Sequence, residues 1–252
     1  MVRTMIPAGH TTPPSAAPDL PYPFLSALTR GPRGDTTRRV REILRDAIVS
    51  LAFLPGELMR KDAICERLGV SRFPVSEALG RLADEGFVEI VPQRCTRVSR
   101  IDIGACRVAM FLRRAIEGEA MRVIAPRVDD RLVERVETLL WQQEQAVRQS
   151  NAAEFFRHDQ VFHDQLLSEL GYRRVTAVVG SARGRLDRTR EFLMRAPEEQ
   201  LQGYLDHVAI ANALKRRDAD AAQHAMTHHL DRFMQRIELG AAENPQIFAP
   251  AA

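Results

Sequence analysis

Cysteine is scarce in this chain of 252 residues: only Cys65, Cys95 and Cys106 occur, an odd number without metal-ligand spacing. That excludes a disulfide framework and predicts reduced thiols in a cytoplasmic protein. No apolar run approaches the ~20 residues that span a bilayer, which excludes a helical membrane anchor. The first 35 residues lack the compact apolar core of a secretory signal and carry several prolines instead. An excess of one charge is missing too, since 36 basic and 33 acidic residues leave a formal net charge of +3. No internal repeat is visible, and no strand pattern appears between Ile103 and about Leu239.

What is present is a globular composition, 45% hydrophobic and 27% charged, in a chain long enough for one large or two ordinary domains. The small positive excess is uneven. Arg38 to Arg100 holds 12 basic against 9 acidic residues, whereas Asp102 to Glu238 holds 21 of each. A polyanion would therefore be met by the N-terminal third, although a solvated basic face has the same count.

Residues 1–35, with prolines at 13, 14, 18, 21, 23 and 32, read as a flexible arm with too little apolar surface to order. Thr36 or Thr37 is placed to cap a helix reaching Leu51, with Val40, Ile43, Leu44 and Ala47 on one face. After the Pro55–Gly56 turn, a short helix Lys61–Leu68 stops at Gly69. Ser71 is placed to cap the next helix, whose Pro74 sits harmlessly in the first turn and whose Val75, Leu79 and Leu82 mark the buried face. Phe87–Val91 and Thr96–Val98 are β-prone segments flanking a turn. Helix, short helix, turn, helix and hairpin is the order of a winged helix-turn-helix, expected over residues 36–101.

Beyond the linker Ser99–Ile103, six helices are expected: Gly104–Ala125, Asp129–Ser150, Asn151–Leu170, Arg173–Arg195, Pro197–Arg217 and Asp218–Leu239. With no strands among them they form an antiparallel all-helical bundle over residues 102–240, followed by a frayed tail, 241–252. The fold class is thus mainly α with one small β-hairpin wing.

Two constellations carry chemistry. On the third helix, burial of Val75, Leu79 and Leu82 leaves Ser71, Arg72, Phe73 and Ser76 at the exposed N-terminal edge that enters a major groove. There an arginine can bind guanine through two hydrogen bonds. Arg38, Arg39, Arg41 and Arg45 on the first helix, with Arg94 and Arg97 on the wing, are candidates for phosphates. The second constellation is polar residues on apolar stripes: Asp159 and His163, four apart beside Phe156, Leu166 and Leu170; His207 beside Tyr204, Ala211 and Leu214; and His229 beside Ala222, Met226 and Phe233. One divalent ion would pair all four, and core hydrogen bonds would also account for each histidine. His224 and His228 fall on a more polar face and read as solvated.

The stretch LGVSRxPVxEALxRLxxxGxV, Leu68 to Val88, resembles the winged-helix domain of GntR-family regulators, in which Arg72 occupies the recognition-arginine position. Three positions depart from that pattern. Ser76 replaces a DNA-contacting arginine, Cys95 replaces a wing glycine, and Asp62 lies where some members are basic. FFRHDQVFHDQLL, DHVAIANALKRRDADAA and HHLDRF resemble the FCD effector-binding bundle of the family's FadR branch. That resemblance implies a metal (zinc, nickel or manganese) on Asp159, His163, His207 and His229, helping to hold a small organic-acid effector.

Arg113, in a stretch resembling the first bundle helix, suits the effector's carboxylate, and equally suits a salt bridge to Glu117 one turn on. The expectation is a homodimeric repressor reading a palindromic operator. A metal-dependent enzyme acting on a small organic acid, or a constitutive DNA-binding protein with a structural metal, are the alternatives. No additional base or nucleophile motif accompanies the histidines.

Overall fold

A computed structural model gives the fold and describes residues 21–29 and 35–249. Three helices and a hairpin form the N-terminal domain: α1 (Thr36–Val49), α2 (Lys61–Leu68), α3 (Arg72–Asp84), β1 (Val88–Val91) and β2 (Cys95–Val98). The strands pair antiparallel, Val88 opposite Val98, and Leu58 bridges to Arg97 at the hairpin's edge. Val40, Leu44, Ile48, Ile64, Leu68, Val75, Leu79 and Leu82 make one core with the inward wing residues Val88 and Val98. Gly69 closes α2 at φ +65°, where a side chain would be strained, so the tight turn into α3 depends on it.

Some local expectations are corrected. Asp35, not Thr36 or Thr37, stands at the start of α1, and neither it nor Ser71 makes a side-chain capping bond. Part of the expected arm is packed: Tyr22 and Leu25 are buried, and the Tyr22 hydroxyl donates to Leu58 O and accepts from Arg60 N. The Tyr22 ring meets Phe53 edge-on with centroids 4.8 Å apart. Two apolar side chains with satisfied polar atoms are enough to order a proline-rich strap, which composition averages away. The rest of the expected arm, 1–20 and 30–34, lies outside the described residues, as do 250–252 of the tail.

The C-terminal domain comprises α4 (Ile103–Ile124), α5 (Asp130–Arg148), α6 (Ala152–Ser168), α7 (Arg173–Gly184), α8 (Asp187–Leu193), α9 (Pro197–Lys215) and α10 (Ala219–Glu243). Asp129, Asn151 and Asp218 cap α5, α6 and α10 by accepting from backbone amides three residues on. The three-residue loops behind α5 and α9 force antiparallel neighbours. Helices α4 and α10 approach so closely at Gly118 that a Cβ there would lie 2.9 Å from Thr227 Cγ2.

Two differences from the sequence reading bear on function. The single helix expected over 173–195 is two, α7 and α8, broken at Arg185 and Leu186, with no proline to announce it. The tail is not frayed where described: Phe248–Ala249 (β4) pairs parallel with Ile101–Asp102 (β3) in the linker, and Phe248 is buried.

Candidate metal centre and DNA-binding face

The bundle brings Asp159, His163, His207 and His229 together from three helices. Asp159 and His163 share one face of α6, His207 comes from α9 and His229 from α10. Each offers a nitrogen or carboxylate oxygen within 4.8 Å of the others, and all four are buried. Asp159 Oδ1 lies 3.5 Å from His207 Nε2 and 3.8 Å from His163 Nε2.

Behind the imidazoles stands a set of acceptors on other helices. His207 Nδ1 is 2.7 Å from Gln143 Oε1 on α5, and the Gln143 amide donates to His158 O, which orients its oxygen toward the ring. His229 Nδ1 is 3.2 Å from Asp206 Oδ2, itself held by Arg232 at 2.8 Å. His163 Nδ1 is 2.5 Å from Glu117 Oε2, an ion-pair contact off the line of a hydrogen bond. An acceptor at Nδ1 places the proton there and leaves Nε2 as a lone pair.

Burial and charge set the protonation states. Burial raises the Asp159 carboxyl, but Arg190 and then the three histidines outweigh it and hold the group well below the usual carboxylate range. Burial likewise raises Glu117 and is outweighed by Arg113 and His163. Burial pushes His163 down to about 4 despite Glu117, and pushes His207 well below its usual value with help from His229. The cluster therefore combines an ionised carboxylate with at least two neutral imidazoles, the state a divalent cation requires of its ligands. His207 Nε2 and Asp159 Oδ2 are buried without a hydrogen bond, so the donor set fits a cation.

Asp159 has a charged partner besides the histidines, which its sequence neighbourhood does not reveal. Arg190 Nη2 of α8 lies 3.4 Å from Asp159 Oδ2. Arg113 is fully buried and takes its structural option, with Nε donating to Glu117 Oε1 at 2.7 Å. Its Nη2 also reaches His163 Nε2 at 3.5 Å. The cavity beside the cluster, bounded by Arg113, Phe156, Asp159, Arg190 and His229, has a volume of only about 20 Å³. That holds an ion or one water and no organic acid without opening. His224 and His228 are exposed, as their polar face predicts.

Gln143, Asp206 and Arg190 were missed from sequence, and Glu117 was foreseen only as the partner of Arg113, not of His163. Each is a lone polar residue on a different helix, and only Glu117 carried a signal, its spacing of four from Arg113.

On the winged domain, Ser71, Arg72, Phe73 and Ser76 line the exposed N-terminal edge of α3. Phe73 is 73% exposed, far more than a core aromatic. Arg72 Nη2 pairs with Asp62 Oδ1 on α2 at 2.5 Å. Arg94 lies in the wing turn, and Arg97 on β2 pairs with Glu89. Arg38 is held by Asp35 and Glu42, and Arg39 donates to Thr29 O. Arg41 and Arg45 are engaged away from this edge, with Glu85 and with Asp187 of the C-terminal domain.

Comparison with known proteins places this geometry. Residues 36–98 match the model of the bacterial regulatory proteins of the gntR family, and residues 109–232 match the FCD domain. The chain is 30% identical over 220 residues to the HTH-type transcriptional repressor RspR of Escherichia coli (strain K12), covering 86% of this chain and 96% of that one. It is 31% identical over 220 residues to an HTH-type regulator in an unstable DNA locus of Streptomyces ambofaciens, covering 87% and 92%. A solved putative GntR regulator from Rhodococcus sp. RHA1 superposes with TM-score 0.67 at 25% identity, covering 81% of this chain and 98% of that one.

The protein is thus a DNA-binding transcriptional regulator. It belongs to the GntR family and carries a C-terminal FCD domain. Its family and relatives are regulators rather than enzymes, which sets aside the metalloenzyme alternative. Among the described residues no helix is long and apolar enough to cross a membrane.

Proposed function

We propose that this protein is a cytoplasmic, homodimeric repressor whose hold on a palindromic operator depends on the occupancy of its FCD bundle. Asp159, His163, His207 and His229 would hold one divalent ion (zinc, nickel or manganese), and the ion would supply a positive centre for a small organic acid. The observation that carries this reading is the pair of acceptors Gln143 and Asp206 at the Nδ1 atoms of His207 and His229, with Glu117 beside the Nδ1 of His163, an arrangement that favours Nε2 as the free lone pair. Repression is favoured by the similarity to RspR, a transcriptional repressor. Arg72, with Ser71, Phe73 and Ser76, reads the operator, while Arg38, Arg39, Arg94 and Arg97 meet its phosphates.

Arg113 takes part in effector binding by sharing its guanidinium between Glu117 and the effector's carboxylate, which requires the small cavity to widen. The same small cavity favours a second reading, a purely structural metal in a constitutive DNA-binding protein. Elemental analysis of protein purified without chelator should find about one divalent ion per chain. His207→Ala should lose the ion and the response of operator affinity to organic acids, while His224→Ala keeps both. Metal-free native protein whose response survives His207→Ala contradicts the proposal. A bound ion with no response to any organic acid selects the structural reading.

A further inference from the structure

The FCD bundle touches the winged domain through α8, a helix of seven residues whose side chains divide between the two. Arg190 points into the bundle: its Nη2 lies 3.4 Å from Asp159 Oδ2, and its Nη1 lies 3.9 Å from Asp187 Oδ1, one turn back. The other oxygen of Asp187 is 3.9 Å from Arg45 Nη2 on α1. Beyond Arg45 the contact continues into the domain core. The Arg45 guanidinium sits 5.3 Å from the centroid of Phe87, and Arg188 of α8 sits 5.5 Å from the same ring. Arg188 also donates to Ser99 O in the linker at 2.7 Å. Charges of alternating sign, Asp159, Arg190, Asp187 and Arg45, therefore run from the histidine cluster to the first helix of the DNA-binding domain.

We infer that α8 is the relay by which occupancy of the cluster reaches the winged domain, with Arg190 as its moving part. The inference rests on reading the four residues as a metal site. Arg190 is shared between two carboxylates at 3.4 and 3.9 Å, and neither contact is a closed hydrogen bond. Its side chain and that of Asp159 are each less than a tenth exposed, so water screens them little. A divalent cation on Asp159 gives that carboxylate a stronger counterion and sets like charge beside Arg190. Arg190 then turns toward Asp187, and Asp187 relaxes its hold on Arg45. The other buried arginines nearby are committed elsewhere, Arg113 to Glu117, Arg183 to Asp164 and Gln160 O, and Arg188 to Ser99 O, and do not substitute. A shift confined to one helical turn thereby changes how firmly α1 is tied to the bundle.

Hydrogen–deuterium exchange on the full chain stripped of metal by chelator, before and after zinc is added back, tests the relay. In native protein zinc should speed exchange of α1 amides by about threefold or more, and should also alter α8. Asp187→Asn and Arg45→Gln each cut the line outside the cluster. Both should bind zinc with native stoichiometry and keep the α8 change, while α1 becomes indifferent to zinc. An α1 response that survives in both variants overturns the relay, as does native protein that binds zinc with α1 unchanged. Metal content measured in the same samples, with nickel and manganese tried in place of zinc, separates the failures: native protein that takes up none of the three sinks the metal reading and removes the relay's trigger with it.

Discussion

The two charged regions of this molecule use the same residue types under opposite conditions. At the DNA-reading edge the Arg72–Asp62 pair is 77% and 72% exposed, so its partners are held loosely and exchange at little cost. In the bundle the Arg113–Glu117 pair is about 1% exposed, and each charge depends on its neighbour for solvation. An exposed arginine can leave a carboxylate for a guanine. A buried one can move only when another charge arrives to replace it. Recognition of a large polyanion suits the first arrangement, and sensing of a single small ligand suits the second.

The comparison is broken most severely by removing a buried partner. Glu117→Ala leaves Arg113 as an uncompensated charge in the core and should lower stability by about 3–5 kcal/mol. Urea denaturation measures it, and a loss below about 1 kcal/mol would place water, and hence a larger cavity, around Arg113.

Acid acts on the same region. The unfolded chain protonates its histidines near 6.5, whereas burial keeps His163 neutral down to about 4 and also holds His207 well below its usual value. The unfolded state therefore gains protons first as pH falls. Stability from His163 is complete above pH 6.5, declines between 6.5 and about 4, and is level below that. The loss is on the order of 3 kcal/mol for His163 alone, read from chelator-treated protein denatured at pH 7.5 and 4.5. For the same reason protons should displace a bound ion nearer pH 4 than the 6.5 expected of free imidazoles. Equal midpoints at both pH values would show that the imidazoles are solvated.

On the exposed side effects should be smaller and confined to binding. Arg72→Ala should weaken operator binding by roughly 1–3 kcal/mol and leave the helical signal intact. Unchanged affinity for an operator selected from random DNA would remove Arg72 from the reading edge. Smallest of all, Asp62→Asn frees Arg72 from its pair and should alter stability by less than about 1 kcal/mol. It should tighten operator binding severalfold at low salt, and that gain should shrink as salt rises. Weaker binding in the variant would mean that Asp62 positions Arg72 rather than competing for it.

The amino-acid sequence by itself determined the secondary-structure order of the winged helix, five of the bundle's helices, the exposed edge of α3 and the four polar residues on apolar stripes. Those features follow from periodicity, and periodicity is local. A spacing of four puts Asp159 beside His163 whatever the rest of the chain does. Only the tertiary structure decided which residues on other helices would complete the cluster. Gln143, Asp206 and Arg190 are each separated from their imidazole or carboxylate partner by 23 to 64 positions, or 31 for Arg190, and no local rule joins them. The break between α7 and α8, the docking of Tyr22 and the return of Phe248 to the linker have the same origin. Each depends on apolar surface presented by a distant element, and burial against such surface overrides the local preference of a short segment.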